Sequence, residues 1–275
     1  MKDKYTAVWL SHSSIKDYLK CPQAYYLNNI YRKPETGHKI MLMQPPLALG
    51  QVVHEVIEEM SKLPAAERLR ESPLKIYERL WKKVSGKMGG FRSLDEETKY
   101  QKRGQEMVQR LIDNPGPLLK KIIKIREELP YFWLSEEENL ILCGKIDWLE
   151  YLPQTDSVRI LDFKTGKFDE DPDSLQLPIY NLLVTNCQKR SVTGASYWYL
   201  DRDDEPRLVK LPDLDSSYKR VTEIAQKIAL ARKLEHFKCR QKDGCRACLP
   251  LERIVAGQAE YVAVGEYKKD IYILN

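Results

Sequence analysis

No apolar run of 18 residues occurs in the chain, so the sequence offers no membrane-spanning helix. Its opening residues, MKDKYTAVWLSHSS, lack the apolar stretch of a secretory signal. The expected location is therefore cytoplasmic. Repeats and low-complexity tracts are missing too. There is no G-x-x-x-x-G-K-[ST] loop, which excludes a P-loop motor, and HEVIE at 54–58 lacks the second histidine of a zinc-protease helix. Excess charge of one sign is small: 45 Lys and Arg against 40 Asp and Glu give +5, a mildly basic balance that permits a nucleic-acid partner without demanding one. What remains is an ordinary globular composition, 43% apolar and 31% charged over 275 residues, long enough for one large domain with a sizeable core.

Cysteine is sparse and unevenly placed. Six cysteines in a chain without secretory features do not read as a disulfide framework. Cys21 stands alone, Cys143 and Cys187 lie in apolar segments, and Cys239, Cys245 and Cys248 cluster near the end in a pattern that reads as metal chemistry.

Periodicity supplies the elements. SHSSIKDYLKCPQAYYLNNI begins with a serine-rich cap and carries Ile15, Tyr18, Leu19 and Tyr26 at helical spacing, with Pro22 opening a second short helix. PLALGQVVHEVIEEMSKL predicts an amphipathic helix whose apolar face is Val52, Val53, Val56, Ile57 and Met60. Helices broken at KMGGF and DNPGP fill 64–127. A hairpin of strands 140–152 and 158–166 follows, then a helix in DPDSLQLPIYNLLVTN with Pro178 near its first turn, strands in ASYWYL and RLVKL, and a long helix from DSSYKRV to LEHF.

The hairpin poses the chemical question. With a four-residue loop at 153–156, Asp147 falls opposite Asp162; a five-residue loop shifts the register by one. Either way two carboxylates become near neighbours, about 5 Å apart at Cβ, and repel unless a positive group lies between them. Lys164 shares a face with Asp162 because side chains at i and i+2 do so on a strand. The plain reading is a salt-bridged hairpin. Against it, Asp162 ends an apolar run, VRIL, and Gly144 precedes Asp147 by three residues, where a ligand could approach. Hard oxygen donors suit Mg²⁺ or Mn²⁺, and a lysine beside such an ion could stabilise phosphate charge or orient the attacking water. His54 lies one helical turn from both Gly50 and Glu58, and Gln176 one turn from Tyr180; taken singly, each pair reads as a helix flank.

Together and in order, GQVVH, GKID, DFKT and QLPIY resemble the RecB-type branch of the PD-(D/E)XK nuclease superfamily, whose motifs are G-x-x-x-H, G-x-x-D, D-x-K and Q-x-x-x-Y. The resemblance covers residues 9–248. It implies an α/β restriction-endonuclease-like fold, a central mixed sheet flanked by helices. It also implies a metal site of His54, Asp147, Asp162 and the Phe163 carbonyl, a catalytic Lys164, and a DNA strand positioned by Gln176 and Tyr180. The opening SHSSIKDYLKCP is similar to the family's start, where a cysteine-proline pair joins three C-terminal cysteines around a four-iron, four-sulfur (4Fe-4S) cluster. The usual tail is C-x₂-C-x₅-C. Here Cys245 and Cys248 fit its first half, Ile254 occupies the third position, and Cys239 lies upstream instead. Four thiolates, Cys21, Cys239, Cys245 and Cys248, still suffice for a 4Fe-4S cluster or for Zn²⁺.

The expected organisation is a single nuclease domain over 1–275, with a core at 46–212, a helical insertion at 64–127, and segments 9–30 and 236–255 forming the cysteine staple. The expected activity is Mg²⁺- or Mn²⁺-dependent hydrolysis of DNA phosphodiesters, as an exonuclease on single-stranded or end-bearing DNA. The contexts are recombination and repair beside a helicase partner (AddB-like) or CRISPR adaptation. A metal-stapled, non-catalytic DNA-binding module of a larger complex is the alternative. Aromatic and basic residues around 77–133 and in SYWYL read first as core and second as a base-stacking surface.

Overall fold

The computed structural model describes residues 3–125 and 127–274. The chain forms two compact units, one from 3–43, 131–144 and 214–274, the other from 44–125, 127–130 and 145–213. Residues 131–144 thus lie within 46–212 along the chain yet pack with the terminal segments.

In the first unit, β1 (Val8–Leu10) leads into α1 (His12–Lys20), which Ser11 and Ser14 start with a reciprocal capping box. Cys21 ends α1 and begins α2 (Pro22–Tyr25), which continues as a π-turn over Tyr26–Ile30. β2 (Lys39–Leu42), β3 (Tyr131–Ser135), β4 (Leu140–Cys143), α7 (Leu214–Lys233), α8 (Leu249–Val255), β9 (Glu260–Gly265) and β10 (Lys269–Ile273) complete the unit. Two three-stranded sheets result, ordered β1-β4-β3 and β2-β10-β9. β10 runs parallel to β2, with Asp270 opposite Ile40, so the last strand pairs with one more than 220 residues earlier. The Tyr218 hydroxyl on α7 donates to the Leu134 carbonyl at 2.6 Å and ties that helix to β3.

The second unit is built on one four-stranded sheet in the order β5 (Trp148–Leu152), β6 (Ser157–Lys164), β7 (Val192–Tyr199), β8 (Arg207–Val209). β5 and β6 are antiparallel with Leu152 opposite Ser157, so the loop is the four-residue one. β6 and β7 are parallel and joined through α6 (Gln176–Cys187). Nearly every side of α6 is buried, Leu177, Ile179, Leu182, Leu183 and Val184 among them, as expected of a helix apolar all round. Burial of each such side chain contributes about 1.5–3 kcal/mol. α3 (Pro45–Ser61) buries Val52, Val53, Val56, Ile57 and Met60 as its spacing predicts, and packs with α4 (Pro73–Trp81) and α5 (Leu94–Asp113).

Two expectations need correction. The strand foreseen over 140–152 is two strands in different sheets: β4 pairs with β1 and β3, β5 with β6. Between them, 144–147 leaves the ladder because its polar side chains find partners elsewhere: Lys145 reaches Glu58 at 2.6 Å, and Asp147 faces His54. The helix expected across 171–186 begins only at Gln176, since the acidic stretch before it forms turns and Ser174 accepts the Gln176 amide. Most of the aromatics follow the core reading, Tyr77, Trp81, Phe91, Tyr197, Trp198 and Tyr199 being buried, while Tyr100, Tyr131, Phe132 and Trp133 are partly exposed.

Candidate active site and cysteine centre

β6 ends at Lys164, and β5 begins at Trp148 opposite Leu161, so the end of the antiparallel pair brings Asp147 level with Asp162. Because β5 stops short, the Phe163 amide has no strand partner on that side; the Asp147 carboxylate accepts it at 3.2 Å. A strand residue's N–H and C=O point the same way, so the Phe163 carbonyl faces the Asp147 side as well. α3 delivers His54, whose Nδ1 lies 3.4 Å from Asp147 Oδ1. The close approach of α3 is what Gly50 permits: a Cβ there would stand 3.2 Å from Thr165 Oγ1, just past Lys164.

Asp162 is buried to 1% exposure and accepts from Gln176 Nε2 at 2.7 Å through Oδ1. Its Oδ2 accepts no hydrogen bond; the Lys164 ammonium is 3.0 Å away, close enough for an ion pair but out of hydrogen-bond alignment. Lys164 also donates to Gln176 Oε1 and contacts Glu170 at 2.7 Å, while its Nζ sits 4.8 Å from the centre of the Tyr197 ring. Gln176 Nε2 makes a second, longer contact of 3.3 Å to the Tyr180 hydroxyl. Gln176 and Tyr180 are both buried, and they hold the acid and the lysine in place.

Burial, then repulsion from Asp147, pushes Asp162 up to about 7 despite Lys164. For Asp147, burial also acts upward, but His54 and the Phe163 amide outweigh it and hold the carboxyl below its ordinary value. His54 is raised, because Asp147 and Asp162 overcome the burial that would lower it. Lys164 is raised as well: Asp162 and Glu170 outweigh burial, so it stays an ammonium. The arrangement concentrates buried negative charge and leaves one carboxylate oxygen without a donor. That donor set, two carboxylates with a carbonyl and an imidazole, fits a hard divalent cation. His54, Asp147 and Asp162 do not close on a common point as tightly as the cysteines: among the described residues, only the four cysteines bring three or more ligand-type atoms within 4.8 Å of one another. Beside His54 and Asp147 opens a groove of about 450 Å³, walled by Ile57, Ile123 and Trp148 and rimmed by Glu58 and Lys145.

Sequence reasoning did not single out Glu170. It lies in the acidic run DEDPD, where no spacing distinguishes it, and its amide donates to the Tyr199 hydroxyl at 2.9 Å.

In the other unit, Cys21, Cys239, Cys245 and Cys248 converge, with Cys245 and Cys248 Sγ 3.8 Å apart. Cys21 and Cys248 are buried in an apolar cluster with Leu27, Leu251, Ile254 and Tyr272; Cys239 and Cys245 are partly exposed.

The sequence profile of the PD-(D/E)XK nuclease superfamily matches residues 9–251. The chain belongs to that superfamily. Among solved structures, it is similar to a protein from Eubacterium rectale provisionally named as an exonuclease, with a TM-score of 0.50 and 13% identity over 87% of this chain and 86% of that one. No curated protein matches the sequence. The likeness at this identity bears on fold, and the fold is the expected one: mixed sheet, flanking helices, and acids at the sheet end.

Proposed function

We propose that the chain is a divalent-metal-dependent deoxyribonuclease of the RecB-type branch, acting as an exonuclease on single-stranded or end-bearing DNA. The observation carrying this reading is the buried Asp162–Lys164–Gln176 network facing Asp147 at the end of the parallel β6–β7 pair, where ligands of such sheets bind. Asp147, Asp162, His54 and the Phe163 carbonyl would hold Mg²⁺ or Mn²⁺, which supplies a polarised water and charge neutralisation. Lys164, kept protonated by its neighbours, would stabilise the phosphate as charge accumulates. Gln176 would act through Asp162 and Lys164 as a positioning residue, with Tyr180 behind it, rather than by touching the strand. The groove beside His54 would receive the DNA, and exposed Phe168, just beyond Lys164, offers a ring on which a base could stack. Recombination-repair and CRISPR adaptation both suit an end-trimming activity of this kind.

The test is cleavage of end-labelled single-stranded and duplex DNA with Mg²⁺, Mn²⁺ or EDTA, comparing the natural chain with Asp162→Ala and Lys164→Ala. Cleavage that needs metal and disappears in both folded variants supports the reading. Wild-type turnover by a folded Asp162→Ala protein would sink it.

A further inference from the structure

The four cysteines lie too close together for the cluster that the sequence resemblance implies. In a four-iron cluster each thiolate binds a different iron at the corner of a cube, and the sulfurs stand about 6 Å apart. Four thiolates at about 2.3 Å from a single tetrahedral ion stand about 3.8 Å apart. Here every sulfur lies within 4.8 Å of the others, and Cys245 and Cys248 are 3.8 Å apart.

We propose that Cys21, Cys239, Cys245 and Cys248 bind one tetrahedral Zn²⁺, a structural site in place of an iron-sulfur cluster.

The surroundings are built for the tight arrangement. Gly244 turns the chain ahead of Cys245 with φ of +82°, in the left-handed region, and a Cβ on it would meet Leu249 at 2.7 Å and Cys248 Sγ at 3.5 Å. This turn lets the Cys245 amide donate to Cys248 Sγ at 3.2 Å, and a neighbouring turn lets the Gln241 amide donate to Cys239 Sγ at 3.4 Å. Burial raises the Cys21 thiol, and the amides of Ala24 and Gln23, at the start of α2, act against it to lower it. Amide donors to sulfur favour the thiolate and fix its orientation toward a metal. Ile254 stands where the resemblance places a cysteine, and it is 5% exposed in the apolar wall with Leu251 and Tyr272. Spreading the sulfurs to cluster spacing would drive Cys21 and Cys248, at 1% and 0% exposure, into that wall, and packed interiors resist such expansion. The missing cysteine and the close spacing have one cause: the site has been rebuilt around a smaller centre, with Cys239 as the replacement ligand. This inference is independent of the nuclease reading, because its readout is metal content.

The experiment uses the full chain, purified anaerobically without added metal and analysed for zinc, iron and acid-labile sulfide. One zinc per chain in colourless protein is expected, and exchange with Co²⁺ should give the intense visible bands of a tetrahedral tetrathiolate site. Cys239→Ser, at a partly exposed position, should lower zinc retention against a chelator at least tenfold, whereas Cys187→Ser should leave it unchanged. Stoichiometric iron with matching sulfide and a brown colour would overturn the proposal. So would metal-free protein in which all six thiols react equally, or a Cys239→Ser variant that keeps its zinc as tightly as the natural chain.

Discussion

Replacing Asp162 by Asn should stabilise the metal-free protein while abolishing cleavage, and the gain should grow with pH. In the native site the Asp162 carboxyl is displaced from 3.8 to about 7, and that position already includes the attraction of Lys164. Each unit of displacement is worth about 1.4 kcal/mol, so ionised Asp162 costs the fold up to about 4 kcal/mol. Because the displacement is upward, the native state holds the proton longer than the unfolded chain. Stability is therefore undiminished below about pH 4, declines as the pH climbs toward 7, and carries the whole penalty above that. Asn keeps an oxygen for Gln176 and removes the charge, leaving Lys164 its contacts to Glu170 and Gln176. In EDTA, the variant should match the natural chain near pH 4 and exceed it near pH 8 by up to about 4 kcal/mol, or roughly 8–16 °C in melting temperature. Saturating Mg²⁺ should close much of the gap by stabilising the natural chain alone. Thermal unfolding at the two pH values, with and without metal, measures all of this. A gap of equal size at both would show that ionising Asp162 costs nothing, and the argument from crowded carboxylates would be wrong.

Gln176→Leu should cut the cleavage rate more than tenfold while DNA affinity, read by fluorescence anisotropy, changes little; weakened binding with undiminished turnover would restore a strand-contacting role. Gly50→Val should push α3 away from Thr165 and lower both activity and Mg²⁺ affinity, the latter measured by calorimetry, with unchanged affinity counting against the close-approach argument. Glu97→Ala removes the acceptor shared by the Trp81 indole, the Ser85 hydroxyl and the Gly86 amide, and should cost about 3 kcal/mol in chemical denaturation, far from the site.

The grouping of the candidate site's residues was legible in the sequence because they obey short-range spacing. Asp162 and Lys164 are two apart on a strand, Gln176 and Tyr180 four apart on a helix, and His54 four beyond a glycine; each rule is local and survives folding unchanged. Of the two loop lengths the sequence allowed, the structure has the four-residue one, and with it the Asp147–Asp162 juxtaposition. Less local facts were hidden. The alternation of 140–152 runs through Gly144 without a visible break, yet the chain there changes sheets. β2 and β10 are short and far apart in sequence, so no pattern within either announces its partner. Glu170 became identifiable only when a turn carried it to Lys164. The cysteines could be grouped from sequence, but the distances among them, on which the choice of metal turns, belong to the fold.

Lys164 has three acidic or amide oxygens around one ammonium, Asp162, Glu170 and Gln176, and an ammonium has three protons to give. Gln176 and Glu170 hold its two aligned contacts, the Asp162 oxygen being out of alignment, so on the proposed nuclease reading a phosphate drawing near would compete with an incumbent. Glu170 is the natural one to yield, because it sits in the turn-forming stretch between β6 and α6 while the other two sit on the strand and helix themselves. On that reading the glutamate would be a built-in competitor that keeps the lysine occupied until a substrate anion arrives. Selectivity for a well-placed phosphodiester over stray anions would then be a matter of exchange rather than of simple attraction.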